Sequence, residues 1–205
     1  MRPVVLVNPN LVGQRGDILG SGVPYLPVSL AYLGAVLRAR GQTVRVVDGF
    51  GAAPLRIRTE GNLWIHGLSL GEIAGAIPRA ARAIVVYAMS VMAYRVLRET
   101  VRTLRAGSPG VPLIVMENTQ AVTSFSLASV RHELFADGAD AVVTGEAEIR
   151  VPELLEVWGR GTPPDGVWVR WNGTESGSPP VRVVENLDDL PCPAWALFPL
   201  DEYWR

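Results

Sequence analysis

The chain has 205 residues, 48% of them hydrophobic and 19% charged, enough to bury one sizeable core with residues left for an appendage. Nineteen basic residues against 20 acidic ones leave a formal charge of -1, which excludes a global positive field for recruiting DNA or RNA, so no nucleic-acid partner is expected. A single cysteine, Cys192, excludes an internal disulfide framework and any cluster or zinc site built from several thiolates of this chain. No stretch reaches the roughly 20 apolar residues that span a bilayer, and the apolar run after Met1-Arg2-Pro3 meets Asn8-Pro9 too soon for a signal peptide. The expectation is a soluble cytoplasmic protein with no membrane partner.

Val4 to Val7 is a continuous apolar run, as befits a parallel strand covered on both faces. Gly13 to Pro27 is rich in glycine and proline and reads as a long loop, of the kind that is often functional. From Pro27 to Arg40, Leu30, Leu33, Gly34 and Leu37 recur at helical spacing, with Pro27 suited to the first turn and Gly41 to the exit. Thr43 to Val47 is the second strand, and residues 49 to 66 read as loop. Ser69 followed by Glu72 is a capping-box signal for a short helix reaching about Pro78.

Ala83 to Tyr87, Pro112 to Met116 and Ala139 to Val143 are the third, fourth and fifth strands. Helices over Met92 to Arg105, Ser124 to Ala136 and Arg150 to Trp158 follow them in turn. This strict alternation calls for an α/β fold, a doubly wound, Rossmann-like five-stranded parallel sheet with right-handed crossovers and helices on both faces. After Gly159 the alternation stops. Val167 to Trp171 and Val181 to Val184 are β-like runs that suggest a hairpin appended to the sheet edge, and 185 to 205 is a proline- and tryptophan-rich extended linker. The chain therefore divides into a sheet domain, 1–159, and a hairpin with linker, 160–205.

In such sheets ligands bind beyond the carboxyl ends of the strands. The rim so defined contains Asn10 and Gly22 after the first strand, Ser90 and Met92 after the third, Asn118, Thr119 and Gln120 after the fourth, and Thr144, Gly145 and Glu146 after the fifth. Small, amide and hydroxyl groups suit a large, hydrogen-bonding, mostly neutral ligand. A phosphate-binding Gly-x4-Gly-Lys-Ser/Thr loop and a Gly-x-Gly-x-x-Gly turn directly after the first strand are both absent, which argues against nucleotide hydrolysis and dinucleotide binding. The aspartate and lysine of phosphoacceptor receiver domains are absent too: Tyr87-Ala88 and Thr144-Gly145 stand at those places, and the chain has no lysine.

Four segments stand out in order: Pro24-Tyr25-Leu26-Pro27 through Leu30-Ala31-Tyr32-Leu33 to Arg38; His66-Gly67-Leu68-Ser69 through Glu72-Ile73 to Ile77; Gly138-Ala139-Asp140 through Val142-Val143-Thr144-Gly145-Glu146 to Glu148; and Leu187-Asp188-Asp189-Leu190-Pro191 with Pro193 to Trp204. Together they resemble the cobalamin-binding domain of cobalamin-dependent radical SAM enzymes. The resemblance implies flavodoxin-like strand order and a cofactor, cobalamin, with Tyr25 and Leu26 facing the corrin beside the rim residues above. It implies presentation of methylcobalamin to a partner radical SAM module for methyl transfer to a carbon or phosphorus centre, the module carrying S-adenosylmethionine and a four-iron cluster on its own Cys-x3-Cys-x2-Cys thiolates. No catalytic residue and no protein metal ligand is implied in this chain, where the cofactor carries the chemistry.

Two departures matter. The strand end that reads Gly-Gly-x-His in many relatives is Met116-Glu117-Asn118-Thr119-Gln120 here, and the Asp-x-His-x-x-Gly sequence that supplies an axial imidazole elsewhere is missing. The implied cobalamin is base-off without a histidine ligand, and His66 and His132 read as structural. The replaced strand end also motivates an alternative, a ligand-sensing or scaffold domain that has lost cobalamin. Ser90 reads equally as a ligand contact or a helix cap, Glu146 and Glu148 also complement a helix N-terminus, Met89 and Met92 suit core filling, and Cys192 reads as inert. Trp195 and Trp204 are expected to pack on a neighbour.

Overall fold

The computed structural model describes residues 2–16, 26–119 and 125–203. The candidate residues Gly22, Tyr25 and Gln120, and Trp204, lie outside them.

Uninterrupted valine, isoleucine and leucine runs make the central strands, whose side chains are buried on both faces. These are β1 (Val4–Asn8), β6 (Ala83–Ala88), β7 (Leu113–Glu117) and β8 (Ala141–Val143); the border strand β3 (Val44–Asp48), which exposes Arg45, completes the parallel set. Neighbours in the order β3-β1-β6-β7-β8 are parallel throughout. Two antiparallel strands, β9 (Val167–Trp171) and β10 (Thr174–Gly177), continue the sheet beyond β8. The sheet thus holds seven strands, mostly parallel, where the alternating pattern alone counts five.

Helices α1 (Val28–Ala39) and α5 (Ala147–Val157) lie together on one face, sharing a core with Leu6, Val85, Tyr87 and Met116. Helices α2 (Leu70–Gly75), α3 (Tyr94–Gly107) and α4 (Leu127–Ala136) cover the other, over Val5, Val7, Val86 and Val115. The capping box at α2 forms as expected: the Ser69 side chain accepts from Glu72 N–H, and the Glu72 side chain accepts from Ser69 N–H. On α3, Val96, Leu97, Val101 and Leu104 face inward, while Arg98 and Arg102 reach Asp137 at the end of α4.

Three expectations are corrected. Residues 49–66 are not all loop: β4 (Ile57–Glu60) and β5 (Leu63–His66) form a hairpin that β2 (Leu11–Gln14) joins, making a second, three-stranded antiparallel sheet. The start of the expected 13–27 loop is therefore strand. Gly61, at φ +58, opens a two-residue Gly-Asn turn between β4 and β5, and Val12, Ile65, Ala93 and Val96 form a small core beneath this sheet. The second arm of the C-terminal hairpin is Thr174–Gly177 and not 181–184. Asn172 and Gly173, both at positive φ, make a two-residue turn that sets Thr174 opposite Trp171 at once.

Trp195, expected to await a neighbour, packs on its own domain. After the hairpin the chain runs back across α1, where Ala194 N–H donates to the Ala31 carbonyl and Leu197 sits over Gly34. Trp195 meets Phe198 edge-on, and a terminal turn, α6 (Leu200–Tyr203), delivers Tyr203 to the ends of β1 and β3.

Candidate functional site

Strand order reverses between β1 and β6, because α1 carries the chain outward to β3 and α2 carries it back to β6 on the opposite face. Crossovers leaving on opposite faces open a crevice at the carboxyl ends of those two strands. Asn8, Asn10 and the Ala88–Ser90 turn surround it, flanked by Asp48 to Gly51 on one side and by Glu117 to Thr119 and Thr144 to Glu146 on the other.

At the β1 end, fully buried Asn10 donates to the carbonyls of His66 and Leu68, tying the rim to the small sheet. Its Oδ1 has no hydrogen-bond partner among the described residues, nor has that of Asn8. Asn8 Nδ2 donates to Asp48 Oδ1 at 2.8 Å, Gly51 N–H donates to the same oxygen at 2.7 Å, and the Tyr203 hydroxyl donates to Asp48 Oδ2 at 2.6 Å. Burial pushes the Asp48 carboxyl above its usual range even though these donors pull it down, and burial and the Asp48 charge push the Tyr203 phenol well up. Gly67, at φ +115, presses on the Gly49 carbonyl so closely that a Cβ there would lie 2.1 Å from that oxygen.

Ser90 occupies the N-cap position of a 3-10 turn, Val91–Ala93, with extended backbone, and its side chain makes no capping bond. It and Met92 are half-buried, Leu26 is half-buried at the entry to α1, and Thr119 is exposed. Asn118 is buried and donates to the Met89 carbonyl at 2.8 Å. The Thr144 hydroxyl donates to the Gly166 carbonyl at 2.9 Å, Gly145 N–H donates to Glu117 Oε2 at 2.9 Å, and Glu146 accepts from Val184 N–H. The rim beyond β7 and β8 therefore uses many of its polar groups internally.

Several groups that shape the site have no mark in the sequence pattern. Glu117 bridges Gly145 N–H and Leu127 N–H, joining the β8 turn to the start of α4. Arg150 is fully buried under the β8 turn; it donates to the Asp165 carboxylate at 2.9 Å, to the Asp165 and Glu146 carbonyls, and to the Arg182 carbonyl at 2.6 Å. Asp165 also receives the N–H groups of Val181 and Arg182, so an extended segment lies clamped against α5. Glu148, in the first turn of α5, is buried, and that burial raises its carboxyl above the usual range.

His66 stands at the end of β5 with Nδ1 3.2 Å from the Pro54 carbonyl, and His132 pairs with Glu175 at 3.0 Å. Among the described residues no three His, Cys, Asp or Glu side chains converge as a metal site, and no helix is long and apolar enough to cross a membrane.

Fold and rim together define a Rossmann-like α/β domain with its crevice at the switch point and a small antiparallel sheet beside it. No protein-family model matches the chain. An uncharacterised methyltransferase of Pyrococcus horikoshii is 34% identical over 67 residues, which is 31% of this chain and 15% of that protein. Among solved structures, the radical S-adenosylmethionine methyltransferase TsrM of Kitasatospora setae, with cobalamin and a 4Fe-4S cluster bound, matches with a TM-score of 0.57. That match is 17% identical and covers 93% of this chain and 31% of TsrM, so the likeness is one of fold. The chain spans less than a third of the length of either protein.

Proposed function

We propose that this chain is the cobalamin-holding part of a cobalamin-dependent radical SAM methyltransferase, acting with a radical SAM module that carries S-adenosylmethionine and the iron–sulfur cluster. The observation that carries the reading is a coincidence in space. The Pro24 to Arg38 and Gly138 to Glu148 segments that resemble that family lead into α1 and α5, around the crevice where strand order reverses. TsrM, the fold neighbour, has cobalamin bound, and the relative from Pyrococcus horikoshii is a methyltransferase by name.

The residues fit such a group in kind. A corrin rim bristles with neutral carboxamides, and Asn10 offers to a carboxamide N–H a buried amide oxygen that has no partner among the described residues. Leu26, Ser90, Met92 and Thr119 add apolar surface and hydroxyls at the rim, and Gly22, Tyr25 and Gln120, which lie outside the described residues, complete the set proposed from the sequence. Asn118, Thr144, Gly145 and Glu146 hold the rim's backbone in shape through the bonds described above. Cobalamin, when bound, would supply a transferable methyl group; the chain would orient it, and the His66 and His132 rings, which meet the Pro54 carbonyl and Glu175, are given structural roles.

Incubation with hydroxocobalamin, desalting and an absorbance spectrum test the reading: corrin bands at near-stoichiometric amounts are expected. A colourless protein overturns it and favours a second reading, a ligand-sensing or scaffold domain of the same fold without cobalamin. Glu117 supports that alternative, because its carboxylate occupies the Gly145 and Leu127 N–H groups where many relatives have a bare Gly-Gly strand end.

A further inference from the structure

Over much of the surface arginines are matched with carboxylates: Arg40 with Glu156, Arg56 with Glu72, Arg98 and Arg102 with Asp137, Arg182 with Glu153. At the amino end of the sheet three are not. Where β1, β6 and β7 begin, a depression of about 380 Å³ is lined by Arg2, Arg79 and Arg82, and no acidic residue is among its lining. Two tight turns form its sides. In the turn over 78–81, Ala81 N–H donates to the Pro78 carbonyl and Arg79 is the first corner. In the turn over 108–111, Val111 N–H donates to the Ser108 carbonyl, and the corners are Pro109 and Gly110, the latter at φ +79, the residues a type II turn takes. Arg82 N–H donates to the Pro3 carbonyl, which holds Arg2-Pro3 against the start of β6.

The three charges stand uncompensated. Arg2 and Arg79 are exposed, and their side chains make no hydrogen bond or ion pair among the described residues. The half-buried Arg82 guanidinium donates only to the Gln42 side chain and the Leu155 carbonyl, both uncharged. On the same wall, the N–H groups of Arg79, Ala80 and Gly110 reach no carbonyl among the described residues. Charges of one sign gathered in a concave surface concentrate the field there, and the guanidinium fork matches the oxygens of a phosphate. The overall formal charge of -1 conceals this local excess. We propose that the depression is a second binding site, for a compact oxyanion of the phosphate or pyrophosphate type carrying at least two negative charges. It lies at the opposite end of the six-residue β6 from the crevice, about 20 Å away, and stands whether or not the crevice holds cobalamin.

The test is isothermal titration of the full chain at low ionic strength with sodium phosphate, sodium pyrophosphate and ATP. Wild type is expected to bind pyrophosphate more tightly than phosphate, because more oxygens meet the three guanidinium groups, and to lose affinity as sodium chloride is added. Arg79→Ala removes a side chain without internal bonds, so the melting temperature stays put while pyrophosphate binding weakens about tenfold. Arg160→Ala, an exposed arginine outside the depression, is expected to bind like wild type. ATP that binds as tightly as pyrophosphate makes the phosphate chain the whole ligand, and tighter ATP binding makes the source a nucleotide; either result supports the site. No heat from any of the three probes, an Arg79→Ala protein that binds like wild type, or equal weakening in Arg79→Ala and Arg160→Ala overturns it.

Discussion

Tyr203→Phe removes one oxygen from a site where the consequence can be worked out. The hydroxyl donates to Asp48 Oδ2 at 2.6 Å and accepts weakly from Asn8 at 3.3 Å, whereas the ring's edge contact with Phe50 survives the change. Asp48 is 5% exposed; Asn8 and Gly51 donate to its Oδ1, and the Phe50 backbone N–H also donates to the carboxylate. A buried charged acceptor that loses a donor costs about 2 kcal/mol, which for a chain of 205 residues lowers the melting temperature by about 5 °C. Because burial raises the Asp48 pKa in the folded state, the native protein holds its proton to a higher pH than the unfolded chain does. Stability from this group is therefore full below the unfolded carboxyl pKa and is lost as pH rises through the folded one. Removing the Tyr203 donor raises that pKa further, so the penalty is largest near neutrality and shrinks as the pH falls. Thermal melts of both proteins by circular dichroism, across this range, provide the check. A loss below about 0.5 kcal/mol, within the range of an ordinary surface substitution, or one independent of pH would refute the reasoning.

Arg150→Met keeps the buried stem but strips the guanidinium from the Asp165 carboxylate and from three carbonyls, and is expected to cost about 3 kcal/mol, read as a lowered urea midpoint with new protease sensitivity near residues 178–184. Asp165 is pushed up by burial but held well below the ordinary carboxylate range by donors from Arg182, Val181 and Arg150. It therefore contributes stability above about pH 4 that is lost on further acidification, and Asp165→Asn should flatten the acid limb of the unfolding curve. Gly67→Ala meets the Gly49 carbonyl at 2.1 Å and should cost about 3 kcal/mol or more. Gly41→Ala, at φ +73 with nothing within 4 Å of a new Cβ, should lose only the backbone strain of about 1 to 2 kcal/mol; equal melting temperatures for the two variants would contradict the packing described.

The five parallel strands and most helices were legible because each long apolar run or helical period is local. The small sheet was not, since Ile57–Glu60 and Leu63–His66 are only four residues each and set among glycines and arginines; the Gly61-Asn62 pair between them was the available signal. The rim was legible as a list of strand ends, but not its internal economy. Asp48 and Tyr203 are 155 residues apart, and nothing local announces their bond. Glu117 looks like an ordinary strand-end acid until the β8 turn folds over it, and Glu148 looks like a helix-start acid until its burial beside Ser29 and Tyr87 is known.

The hairpin added after β8 also determines how the molecule meets its own copies. Without it, β8 would offer a fully buried-type valine edge with open amides to any passing strand. With it, the last strand is the short Thr174–Gly177, hydrophilic and ending in glycine, while the opposite border, β3, turns Arg45 to solvent. Both borders of a hydrophobic sheet are thereby made poor templates for sideways polymerisation, a protection the chain carries in nine residues of β9 and β10.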